Sequence, residues 1–108
     1  MNGCPDTNRN EKIRVRIDPD LADLIPGFLT NRRRDIEFLG QAMTRHDFDA
    51  IRTVGHKMRG DGGGYGFQEI SEIGAALERA AKEENASEIQ RQILELSSYL
   101  ERIVVVYD

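Results

Sequence analysis

An all-α chain, folded as an antiparallel up-and-down four-helix bundle, is the architecture this sequence predicts. Amphipathic segments recur along it at helical spacing. The connections between them span only a few residues, which places successive helices side by side and antiparallel. Strand-type clustering of Val, Ile and Tyr is confined to the last few residues. At 108 residues the chain is one domain's worth, with a small core and no room for a second lobe.

Residues 1–12 (MNGCPDTNRNEK) are polar and rich in turn formers, so a flexible N-terminal arm is expected there, with the bundle occupying 13–108. Asp18-Pro19 is a helix-start signal, because Asp can cap free N–H groups and Pro fits the first helical position. Leu21, Leu24, Ile25, Phe28, Leu29, Ile36, Leu39 and Met43 then repeat at helical spacing. Pro26 either kinks this helix or restarts it. Asn31 to Arg34 interrupts the stripe, and Arg32-Arg33-Arg34 reads as solvated charge.

Asp47 is the next candidate N-cap, followed by a buried face of Phe48, Ile51, Val54, Gly55 and Met58. Each Gly inside a helix costs about 1 kcal/mol relative to Ala. The run Gly60-Asp61-Gly62-Gly63-Gly64-Tyr65-Gly66 is therefore expected to end the second helix and leave a bare docking surface. A third helix carries Phe67, Ile70, Ile73, Leu77 and Ala81, and Asn85 breaks it. The fourth carries Ile89, Ile93, Leu96, Leu100 and Ile103 in steps of three and four. Val104 to Tyr107, following directly on that pattern, is expected to be a last helical turn and a frayed end.

Composition removes several function classes. Hydrophobic residues make up 39% and charged residues 31%, suiting a soluble amphipathic-helix protein. A net charge of -4 argues against nucleic-acid binding. Cys4 is the single cysteine, which leaves no intramolecular disulfide and no thiolate-rich metal site. No membrane span and no signal-peptide core is apparent, so a cytoplasmic protein is expected, and a bundle that closes on itself is expected to be a monomer. The glycine run matches neither a P-loop nor a dinucleotide fingerprint, so no ATP site is expected. His46 and His56 are too far apart to suggest a local metal site.

His56 is the residue with chemical promise. On a helix it shares a face with Arg52, Thr53, Arg59, Gly60 and Gly63, opposite the stripe of Phe48, Ile51, Gly55 and Met58. A neutral imidazole, whose ordinary pKa is about 6.5, is a good nucleophile toward phosphorus near neutral pH. Arg52, Lys57 and Arg59 could neutralise a phosphoryl dianion, and Gly60 and Gly63 would clear a path for a second protein. The local pattern fits an idle surface histidine equally well.

His56-Lys57-Met58-Arg59-Gly60 resembles the signature of the histidine-containing phosphotransfer (HPt) domain family, His-x-hydrophobic-Lys/Arg-Gly. The similarity continues through Gly63, Gly66-Phe67, Ile70, Ile73-Gly74 and Leu77-Glu78, and spans residues from about 17 to 103. The resemblance implies a four-helix bundle with the phospho-accepting histidine exposed on its second helix. It assigns that histidine to His56, the basic residue to Arg59 and the access glycine to Gly60. Arg52, Lys57, Gly63 and Glu78 are the supporting positions.

The partners so implied are response-regulator receiver domains, which supply the aspartate and Mg²⁺, and an upstream histidine kinase. The chain itself needs no cofactor and acts as a phosphocarrier rather than an autonomous enzyme. Two positions depart from the pattern. Asp61 stands where many members have a small residue, and Glu78 stands where some carry a Gln that orients the histidine. Glu78 could accept the imidazole N–H or form a surface salt bridge. The competing readings are a helical-bundle interaction scaffold that is never phosphorylated, and an isolated HPt segment of a larger histidine kinase.

Overall fold

A computed structural model describes residues 11–108. The chain runs through a strand β1 (Ile13–Ile17), a single 3₁₀ turn (Pro19–Leu21), and helices α1 (Ile25–Thr44), α2 (Phe48–Gly64), α3 (Gln68–Lys82) and α4 (Ala86–Arg102). It ends in strand β2 (Ile103–Tyr107). The helices form an all-α four-helix bundle: each packs on the next in sequence, and α4 returns to α1. No helix among the described residues is long and apolar enough to cross a membrane. Most of the 1–12 arm lies outside the described residues.

Local chemistry accounts for most of the boundaries. Asp18 does cap, its side chain accepting from the Asp20 N–H, but what it starts is only the 3₁₀ turn. Pro26 sits in the first turn of α1, where its missing N–H costs nothing, and so restarts the chain as a new helix. Asp47 caps α2 by accepting from the Ala50 N–H, and Asn85 caps α4 by accepting from the Glu88 N–H. The core is built from Phe28, Leu39, Ile51, Met58, Phe67, Ile70, Leu77, Ile89 and Leu96, all on the expected stripes, together with Ile17, Ala42, Ala80 and Tyr99, which those stripes do not include.

The structure sharpens one expectation and corrects two others. First, the glycine run does end the second helix, but late: α2 continues to Gly64 before it stops. Close helix packing compensates the poor propensity. A Cβ on Gly62 would lie 2.5 Å from the Ser71 nitrogen, and one on Gly74 only 2.4 Å from the Arg59 nitrogen. The backbone leaves the helical region at Tyr65, and at Gly66, where φ is +92°, it enters the region that favours glycine. Second, Val104 to Tyr107 is a strand. The chain turns extended at Ile103, with φ -72° and ψ 143°, and β2 pairs in parallel with β1, Ile13 opposite Ile103 through Ile17 opposite Tyr107. The β-branched run finds a partner in the alternating Ile13-Arg14-Val15-Arg16-Ile17. Third, Arg32 is not solvated. Its Nε donates to Asp35 at 2.8 Å and its guanidinium lies 4.8 Å above the Phe28 ring. Burial pushes the Asp35 carboxyl up, against the pull of Arg32.

Candidate functional site

α2 presents His56 on the outer wall of the bundle because the stripe through Ile51, Gly55 and Met58 takes the opposite face into the core. Its side chain is 62% exposed. The neighbouring glycine sets the depth of the site. A Cβ on Gly55 would stand 2.7 Å from the Glu78 nitrogen and 2.8 Å from the Gly74 carbonyl oxygen. α2 and α3 therefore touch backbone to backbone at the level of His56, which brings a short carboxylate on α3 within reach of the ring.

That carboxylate is Glu78. Its Oε2 lies 3.1 Å from His56 Nδ1, and its Oε1 lies 3.4 Å from Arg59 Nη1. The Glu78 side chain is only 13% exposed. Partial burial pulls its pKa up, but the hydrogen bond from His56 and the charges of Arg59, His56 and Lys82 outweigh that and hold it below the ordinary glutamate value. An ionised carboxylate can only accept, so Nδ1 donates, and in the neutral form of the ring that leaves the lone pair on Nε2. Among the described residues, Nδ1 is the one ring nitrogen with a hydrogen-bond partner. The two readings of Glu78 prove to coexist: it accepts from the imidazole and forms an ion pair with Arg59.

Arg52, Thr53, His56, Lys57 and Glu78 together line an open depression of about 330 Å³. Arg52 and Lys57 are thus gathered beside the ring, while Arg59 reaches the site through Glu78. Lys57 also acts on Asp35 of α1, whose carboxyl its charge pulls down. A Cβ on Gly60 would meet nothing within 4 Å, so this glycine leaves open space one turn beyond His56. Gly63 is exposed too, with Ser71 Oγ 4.0 Å from where its Cβ would be.

Sequence reasoning overlooked Ser71. Its hydroxyl donates to the Arg59 carbonyl oxygen and ties α3 to the backbone of the histidine helix. A half-polar position on an amphipathic helix carries no local signal for such a bond.

Chemically, the site offers a tautomer-fixed imidazole open to water, with cations around it and bare backbone beside it. A ring in this setting can act as a nucleophile toward a reagent brought to the surface. No curated protein and no solved structure matches the chain. A model of the family described as Hpt domain matches residues 23–105, taking in all four helices. The chain belongs to the Hpt domain family, the phosphocarrier modules of histidine phosphotransfer in phosphorelay signalling.

Proposed function

We propose that this domain is a phosphorelay intermediate that carries a phosphoryl group on Nε2 of His56. The family works between receiver domains and histidine kinases, and the donor and acceptor assigned here are receiver aspartates. In the loading step the Nε2 lone pair attacks the phosphorus of the donor's aspartyl phosphate. An N–P bond forms, the P–O bond to the aspartate breaks, and the carboxylate leaves with the electron pair. In unloading, a second receiver's aspartate attacks the same phosphorus, and the N–P electrons return to the ring. Mg²⁺ belongs to the receiver in both steps.

The single observation that carries this reading is the pairing of an exposed ring with a buried-side acceptor, His56 at 62% and Glu78 at 13%. Glu78 holds the proton on Nδ1 through both steps and offsets the positive charge that the ring gains when Nε2 bonds to phosphorus. Arg52 and Lys57 line the depression where the phosphoryl oxygens arrive, and Gly60 admits the approaching receiver. Arg59 keeps Glu78 ionised and in place. The positive side chains also suit an acidic receiver pocket and would speed encounter.

A receiver phosphorylated with labelled phosphate, mixed with the chain and then with a second receiver, tests the relay. Label should pass to the chain and onward, with no ATP needed. A chain that takes up no label from any of several receivers acts as the unphosphorylated scaffold instead.

A further inference from the structure

The strand ribbon plays no part in the His56 site, and both of its edges lack backbone partners among the described residues. Parallel strands are ordinarily covered on both faces, and an open edge is a template for another strand. The two edges differ. Asp108 N–H donates to the Ile17 carbonyl, and with the observed register this turns the backbone groups of Val104 and Val106 toward β1. The groups left on the free edge of β2 are the Ile103 carbonyl and both groups of Val105 and Tyr107. The Ile103 N–H is already used, donating to the Tyr99 carbonyl at the end of α4.

On β1 the outward groups belong to Arg14 and Arg16, both exposed. Charged side chains on an edge strand discourage further pairing. β2, Ile103-Val104-Val105-Val106-Tyr107, carries no charge at all, and Val104 and Tyr107 remain 44% and 42% exposed.

We propose that the free edge of β2 pairs antiparallel with the same edge of a second copy, about a two-fold axis through Val105. In that register the two Val105 residues exchange N–H···O bonds, and each Tyr107 N–H meets the Ile103 carbonyl of the other copy. Val104 falls opposite Val106 of the second copy, an apolar cross-strand pair. The charges flank the seam rather than enter it: Arg102 ends α4, and Asp108 pairs with Arg16 of its own chain. The same operation on β1 would set Arg14 against Arg16 and is disfavoured. Growth therefore stops at a closed dimer with a continuous sheet, rather than propagating as a fibre.

Sedimentation of the whole chain, from about 10 μM to about 1 mM, covers the range of a small, weak interface. The mass should rise with concentration from 12.3 kDa toward twice that value. Val104→Glu with Val106→Glu sets like charges opposite one another across the seam, while within each copy they face Arg14 and Arg16 of β1. It should weaken the dimer by about tenfold or more without loss of helicity or melting temperature. Val105→Pro is a second probe, because it deletes an N–H that β1 does not use. A wild-type chain that stays monomeric throughout overturns the proposal. So does a dimer that survives both changes, or growth into open-ended aggregates.

Discussion

Nδ1 of His56 and Oε2 of Glu78 stand 3.1 Å apart although 22 positions separate them in the chain. The contact exists because Gly55 and Gly74 let α2 and α3 meet at backbone distance. A partner for the imidazole is thus supplied by helix packing, and the same packing keeps that partner 13% exposed while the ring stays open.

In the proposed relay Glu78 acts as a positioning residue, and substitution should separate its acceptor role from its charge. Glu78→Gln keeps an acceptor for Nδ1–H and should retain most of the phosphoryl uptake. Glu78→Ala should slow uptake by about tenfold, the scale seen where a partner that fixes a histidine tautomer is lost. Nitrogen NMR of the imidazole supplies the structural readout: the proton should stay on Nδ1 in wild type and redistribute to Nε2 in the alanine variant.

Gly74→Ala should destabilise the fold by about 1–3 kcal/mol, the usual cost of overpacking a tight contact. The added Cβ would meet the Arg59 nitrogen at 2.4 Å and the Gly55 carbonyl oxygen at 2.7 Å, both rigid backbone. Denaturant unfolding measures the loss. Because α3 must move outward to accept the methyl, Glu78 retreats from His56, and phosphoryl uptake should fall in the variant even where it is fully folded.

Gly60 gives the opposite pattern. Nothing lies within 4 Å of its absent Cβ, so Gly60→Ala should raise stability by up to about 1 kcal/mol through helix propensity alone. Larger residues at the same position should leave the fold intact and slow transfer progressively with side-chain size. Melting temperature and transfer rate, measured on Ala, Leu and Gln variants, should therefore move in opposite directions.

Stability should also respond to pH at both extremes. Burial, with a smaller push from Glu69, raises the Tyr99 phenol to about 12 from its ordinary 10.0. A folded-state pKa above the unfolded one means stability is complete below pH 10 and is lost as pH rises toward 12. Glu78 has the reverse sign. Its lowered pKa contributes stability above about pH 4.5 that is lost as pH falls through the folded value. Ultraviolet titration of tyrosinate should reveal a late step that Tyr99→Phe abolishes.

Much of this was legible in the residues, and the failures have physical reasons. Helix periodicity is local, so the stripes of α1 to α4 and the cap Asp47 could be read directly, while Asn85 was legible only as a break and proves to be the cap of α4. His56 could be placed on an outer face by the same arithmetic. Gly62 defeats that kind of reading: its poor propensity is offset by contact with Ser71, which only the packed structure contains. Val104 to Tyr107 fails for a related reason, since its partner Ile13–Ile17 lies at the other end of the chain. The strand at Ile13–Ile17 is missed altogether, because strand-type clustering is sought only in the last few residues and neither half of a parallel pair predicts the other. Arg32 left its basic run through contacts with Phe28 and Asp35 on its own helix face, a pattern that charge alone conceals.

The proposed relay depends on Nε2 of His56 receiving the phosphoryl group. Phosphorus and nitrogen NMR of the chain after loading by a phosphorylated receiver tests it directly. One acid-labile phosphoryl group should appear, coupled to Nε2 of His56 and lost in His56→Gln. Phosphorus on Nδ1 or on another residue, or equal loading of His56→Gln, would contradict it.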